Sequence, residues 1–374
     1  MINHIALGCS VFRKGQKTNG IDGIGVYTKN LVDGLRKEKF NFYEIFFDSN
    51  FTSFDQNKNF ISINKINLIM LAYGIKSSSF NSLTQKISLF HSTDFYVPII
   101  PQVPVIASLM DVIPFSNPEF INNNPLNNLK KHLWLKGLKS ASQIITISNY
   151  SKYTINKYLG IDNNKISVIP LGVEDKFFQN HSNFSIEEVI TKYDLPNSFF
   201  LTVGTIQPRK NYESLIDAYN LLPISLQQQC PLIIIGKYGW GCEKLQNYLV
   251  KMKNPNIRWL KYIDRNDLII IYKIARAFFF ISFNEGFGIP LLEAFASKTP
   301  VVYSNTTALK EIGGGYGIKI NPKNIDLLSD LMKNFINDKS FGMSSLEKSY
   351  SYSKKYNWKK TISDTKSLYE KFMV

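Results

Sequence analysis

The stretch AFFFISFNEGFGIPLLEAFAS (277–297) passes from an apolar run, through a turn containing Gly286, Phe287 and Gly288, into an apolar helix pattern opened by Pro290. A short, continuous apolar run is how a strand reads when both its faces are covered in a parallel sheet. A proline just inside the following segment marks a helix start. Strand, glycine turn, helix is the repeating unit of a doubly wound α/β sheet. Glycines in such a turn let backbone N–H groups approach a ligand, and the helix N-terminus carries a partial positive charge suited to phosphate. Glu285 stands before the turn, and Glu293 is expected in the first helical turn, at its rim. A carboxylate repels phosphate but accepts hydrogen bonds from the vicinal hydroxyls of a ribose or a hexose. A nucleotide carrying a sugar would satisfy both glutamates; the plainer alternative leaves Glu293 complementing the helix dipole and Glu285 in solvent.

Outward from this stretch, the same alternation fills the second half of the chain. Apolar runs at FFLTVG (199–204), PLIIIG (231–236), IRWL (257–260), PVVYS (300–304) and GIKI (317–320) are separated by helical patterns near 211–221, 242–252, 266–276, 290–298 and 324–337. The first half repeats the theme with HIALGC (4–9), YEIFF (43–47), ISLFHS (87–92), VPVIASL (103–109), QIITIS (143–148) and ISVIP (166–170). Two doubly wound domains follow, with residues 1–178 forming the first and 179–354 the second, divided in the polar, proline- and glycine-containing segment 170–185. Ligands of such sheets bind at the carboxyl ends of the strands, so two domains facing each other would make a cleft.

The 374 residues are 44% hydrophobic, enough for two cores. Three scattered cysteines and four histidines without ligand spacing predict neither a disulfide framework nor a metal site. The start of the chain lacks a leader pattern and no apolar run has membrane-spanning length, so a cytoplasmic location is expected. The net charge of +15 calls for an anionic partner. Its even division between the halves argues against a nucleic-acid footprint, which would be lopsided or striped.

TIQPRKNYESL (205–215) puts Arg209 and Lys210 just past a strand end, where a guanidinium fork and a point charge would meet a diphosphate without a divalent cation. A solvated basic loop is the alternative. Near the start, RKGQKTNGIDGIGVYTKNLVDGL (13–35) places Gly20, Gly23 and Gly25 before a helix expected from about Val26, again offering amides to an anion.

GIGVYT (23–28), MDVIPF (110–115), ITISNYSK (145–152), VIPLGVE (168–174), VGTIQPRKN (203–211) and the glutamate pair together resemble the family-4 retaining glycosyltransferases of the GT-B type. That resemblance covers nearly the whole chain and is most specific in the two glutamates. It implies two Rossmann-like domains facing a cleft, with a C-terminal helix at about 355–374 crossing back to the first. It further implies that Glu293 binds the donor ribose, that Glu285 contacts the donor sugar, and that Gly204 and the amides of Gly286, Phe287 and Gly288 line the donor. Arg209 and Lys210 would hold the pyrophosphate, with Gly23 and Gly25 closing over it. The reaction implied is metal-independent hexosyl transfer onto a lipid-linked or growing surface saccharide such as an O-antigen. VGTIQPRKN with IIGKYGWG (234–241) looks most like the mannosyltransferase branch, which favours GDP-mannose over UDP-sugars as co-substrate; no cofactor is implied.

One departure stands out. Many relatives have His-Asp where this chain has Met110-Asp111, so Asp111 is expected to position a hydroxyl, and His91 becomes the other acceptor-side candidate. The helix LNNLKKHLWLKGLKSA (126–141) would turn Leu129, Leu133 and Leu138 inward. Its Lys130, Lys131, Lys136 and Lys139, with Trp134, would face an anionic membrane surface on the inner side of the cell membrane, or merely solvent. Alternatives for the whole chain are a nucleotide-sugar epimerase of the same fold and a basic nucleic-acid-binding protein.

Overall fold

The computed structural model describes residues 4–17, 23–47, 54–55, 60–63, 70, 73–75, 84–93, 96–116, 125–180, 182–239, 241–251 and 254–373. Gly20 therefore lies outside the described residues. The described residues divide into two compact units, the first built from residues up to Ser116, from Pro125 to Leu171 and from Trp358 onward, and the second from Gly172 to Asn357.

The first unit holds β1 (Ile5–Gly8), β2 (Phe42–Phe47), β3 (Phe54–Asp55), β4 (Phe60–Ile63), β5 (Leu89–Ser92), β6 (Val105–Ser108), β7 (Gln143–Thr146) and β8 (Ile166–Val168). They form one sheet in the order β3-β4-β2-β1-β5-β6-β7-β8, parallel throughout except between β3 and β4. The second unit holds β9 (Phe200–Val203), β10 (Leu232–Ile235), β11 (Ile257–Leu260), β12 (Ala277–Phe280), β13 (Val301–Ser304) and β14 (Ile318–Ile320), in the fully parallel order β11-β10-β9-β12-β13-β14. Strands β9, β10, β12 and β13 are buried almost along their whole length, as expected of runs covered on both faces. Phe200, Phe279 and Phe335 meet edge to face in its core, with ring centroids 5.1 Å and 6.1 Å apart.

In each sheet the chain winds outward from a central strand and then returns to that strand's other side. The reversal falls between β1 and β5 in the first unit and between β9 and β12 in the second. Loops leaving two such strands diverge, and a crevice opens at their carboxyl ends.

Two sequence-based boundaries shift, and two strands appear that the sequence pattern did not show. The glycine-rich helix starts at Gly23 and runs to Lys37, so Gly25 is a buried residue of its first turn. The short β3 and β4, with only two and four residues, carry too little pattern to be read from sequence. The C-terminal helix expected at about 355–374 runs from Trp358 to Glu370 and is preceded by a separate helix, Leu346–Ser353. Between them the backbone turns away to bridge Val173, whose N–H donates to the Tyr356 carbonyl at 3.0 Å. Helix Trp358–Glu370 packs on helix Gly23–Lys37, where Ile362 presses against Gly34 so closely that a Cβ there would come within 1.9 Å of Cδ1.

Helix Pro125–Ser140 also departs from expectation. Trp134 turns inward, its ring 5.7 Å from Phe115 against the first core, because an indole gains more from apolar neighbours than from solvent. Lys136 and Lys139 remain exposed, while Lys131 lies 4.2 Å over the Phe115 ring. The side chains of Leu129 and Lys130 lie outside the described set. No helix among the described residues is long and apolar enough to cross a membrane.

Candidate active site

The site in the second unit grows from the ends of β9 and β12. After β9 the chain passes Gly204, whose φ of +155° and close approach to Gly236 leave no room for side chains: a Cβ on Gly236 would sit 1.9 Å from the Gly204 carbonyl oxygen. The Tyr212 hydroxyl donates to that carbonyl at 2.6 Å. Pro208–Lys210 then forms a single 3₁₀ turn presenting Arg209 and Lys210. After β12 the chain reaches Ser282 and Glu285, turns at Gly286 and Phe287, and enters helix Ile289–Ala296 with Gly288 as N-cap.

Glu285 joins the two strand ends. Arg209 Nη1 donates to its Oε2 at 2.6 Å, while Lys210 Nζ and Ser282 Oγ reach its Oε1 at 2.5 Å and 2.7 Å. Arg209 also donates to the Asn284 carbonyl at 3.0 Å and to Gln207 at 3.1 Å. Burial alone would raise the Glu285 pKa. The charges of Arg209 and Lys210, with the Lys210 and Ser282 hydrogen bonds, more than offset it and hold the carboxyl at about 2. The alternative of a solvated basic loop and a solvated glutamate is therefore excluded: the carboxylate is buried and braces both cations. The Phe287 side chain is buried too, 5.9 Å from the Tyr356 ring, while neither its own N–H nor that of Gly288 meets an acceptor among the described residues.

Glu293 is not in the first turn and not at a rim. Gly288 caps the helix, so Glu293 is its fifth residue, one turn in and 3% exposed. Arg265 Nη2 donates to its Oε1 at 2.5 Å. Arg265 begins helix Arg265–Ile274, and its Nε donates to Glu174 at 2.9 Å.

The remaining residues singled out from the sequence lie in the first unit. Gly23 is exposed at its helix start. Asp111 is half-buried and accepts from the Ile113 N–H at 3.1 Å, which makes it the turn residue opening a short helix. His91, on β5, is fully buried and does not line an open face. Its Nε2 lies 2.8 Å from Ser108 Oγ and its Nδ1 2.5 Å from the Tyr369 hydroxyl, with Tyr27 in turn 2.9 Å from Ser108. Burial lowers the His91 pKa to about 3, so the ring is neutral and has both nitrogens occupied. As an acceptor-side group His91 is thus corrected to a core residue, because the hydroxyls of Ser108 and Tyr369 satisfy it internally. Among the described residues no group of three or more His, Cys, Asp or Glu side chains is arranged to hold a metal ion.

Residues 21–177 match the family model described as Glycosyltransferase Family 4, and residues 185–356 match that for Glycosyl transferases group 1. The chain is 30% identical over 284 residues to O-antigen chain mannosyltransferase B of Escherichia coli, covering 75% of this chain and 74% of that protein. This chain is a family-4 glycosyltransferase. It is also 30% identical over 288 residues to the serotype-specific mannosyltransferase WbdA of Escherichia coli, matching 74% of this chain but only 35% of that longer protein. The crystal structure of Anabaena HepE in complex with UDP-glucose superposes with a TM-score of 0.73 at 15% identity, covering 97% of this chain and 99% of that one, so the glycosyltransferase has the GT-B fold of two Rossmann-like units.

Three residues of the candidate site carried little or no signal in the sequence. Ser282 stood in the quoted stretch, three residues before Glu285, as a short polar residue ending an apolar run. Asn211, buried at φ +56°, donates from Nδ2 to the carbonyls of Ile281 and Pro322 at 3.2 Å and 2.9 Å, tying the turn that bears Arg209 and Lys210 to the end of β12. An asparagine just before a helix was its signal. Arg265 gave none, since nothing local links it to a glutamate 28 positions later.

Proposed function

We propose that this glycosyltransferase moves mannose from GDP-mannose to a lipid-linked or growing surface saccharide, with retention at the anomeric carbon and without a metal ion. The observation that carries the reading is the Arg209–Glu285–Lys210 cluster at the β9/β12 reversal, beside a glycine turn. Two cations braced by one buried anion keep a net positive charge where a pyrophosphate would arrive, so they neutralise the leaving group as a divalent cation otherwise would. The Phe287 and Gly288 amides suit the sugar, and Glu293 accepts from the ribose diol. Likeness to an O-antigen mannosyltransferase supports the sugar.

His91, neutral and enclosed, is no base for the acceptor. On this reading the acceptor hydroxyl passes its proton to the departing phosphate oxygen as the new glycosidic bond forms on the face the leaving group vacates. Asp111 orients a hydroxyl.

Calorimetry with GDP and UDP, followed by NMR of the product formed from GDP-mannose, tests these steps. Tighter binding of GDP, an α-linked product and turnover insensitive to EDTA are expected. Tighter binding of UDP, a β-linked product or loss of activity restored by Mg²⁺ would overturn the donor, the stereochemistry or the metal independence in turn. Arg209→Ala should weaken GDP by at least tenfold while leaving guanosine unaffected, since a charge-assisted bond contributes about 1.5–3 kcal/mol.

A further inference from the structure

Glu293 is buried, and a carboxylate so enclosed needs a cation to hold it. That cation is Arg265, and it is held at three points. Nε is fixed on Glu174 at 2.9 Å, Nη2 on Glu293 at 2.5 Å, and the guanidinium lies 4.9 Å over the Phe177 ring. One planar fork spans two carboxylates, which a lysine's point charge does not do. Arg265 uses only Oε1 of Glu293, and the buried Tyr272 hydroxyl is the other polar group beside this carboxylate. A carboxylate tethered by one oxygen cannot rotate freely, so the direction of its other lone pairs is set in advance.

We infer that Arg265 is a positioning residue: anchored by Glu174, it fixes the Glu293 carboxylate so that Oε2 is presented to the ribose diol of a nucleoside diphosphate. This rests on the reading of Glu293 given above. Arg265 acts through Glu293, so its loss matters only for a nucleotide that has the diol.

The test is calorimetric, with GDP and 2′,3′-dideoxy-GDP, and UDP with its dideoxy analogue in parallel. The unmodified enzyme should bind the ribo form roughly tenfold or more tighter than the dideoxy form. Glu293→Gln should bring that ratio close to one. Arg265→Gln should lower it below about threefold while leaving dideoxy affinity within about twofold, Arg265→Lys should recover part of it, and Glu174→Gln should fall between. A ratio near one in the unmodified enzyme would remove the ribose role of Glu293 itself. A ratio lost in Glu293→Gln but kept in Arg265→Gln would overturn the positioning role alone, as would equal weakening of both nucleotides. Should Arg265→Gln not fold, Glu174→Gln decides: an unchanged ratio overturns the inference, and a lowered one supports it.

Discussion

Glu285 and His91 occupy comparable addresses, each a buried titratable group near the carboxyl end of a central strand where its sheet reverses, yet their chemistry is opposite. Glu285 follows β12 and is surrounded by donors, two of them cationic; it stays charged with its pKa held at about 2. His91 sits on β5 beside β1 among hydroxyls; it stays neutral with its pKa lowered to about 3. Burial penalises the charged form of both. Only the neighbours differ, and they decide whether the fold's natural ligand crevice becomes an electrostatic site or a sealed polar core. Neither group changes protonation near neutral pH.

The contrast can be broken most forcefully at Glu285. Glu285→Ala leaves Arg209 and Lys210 facing each other without an anion, and breaking a pair this enclosed costs about 3–5 kcal/mol. The urea midpoint should fall accordingly, and adding Arg209→Ala should recover part of the loss. A midpoint within experimental error of the parent would mean that the cations do not depend on Glu285.

His91 is tested through pH. Its folded pKa lies below the ordinary 6.5, so below pH 6.5 the unfolded chain takes up a proton that the folded one refuses. Stability is therefore lost as pH falls from 6.5 towards 3, by about 2 kcal/mol between pH 6.5 and 5. His91→Gln should flatten that window. The depressed pKa of Glu285 acts in the same direction but lower, between its ordinary 4.5 and about 2, so above pH 5 the His91 contribution is read with little from Glu285. An unchanged slope between pH 5 and 6.5 in His91→Gln would assign the effect elsewhere. Smallest of the three, Tyr369→Phe removes one hydrogen bond to His91 and should cost about 1 kcal/mol in thermal unfolding; no cost would mean that Ser108 alone suffices.

Much of this was legible in local pattern. The runs that became β9 to β14 were apolar, short and spaced by helical segments, and the glycines and prolines at 204, 208, 286, 288 and 290 marked the turns that carry the cluster. Pairings set by tertiary packing were not legible. Arg265 meets Glu293, and Tyr369 meets His91, only because strand order brings them together, and the helix period of 126–141 could not say that Trp134 turns inward. Glu285 was legible as a candidate but not as a brace, since a motif names positions and not the bonds that saturate them.

Helix Trp358–Glu370 completes the first unit, although it leaves the ribosome after the entire second unit has been made. Until then Gly34 lacks the side chain that fills its notch, and His91 waits for a phenol 278 positions away. The described residues of the second unit run without a break in unit from Gly172 to Asn357 and have no such wait. The order of synthesis and the order of completion are therefore reversed in this chain, and the early-made unit is the last to close its core.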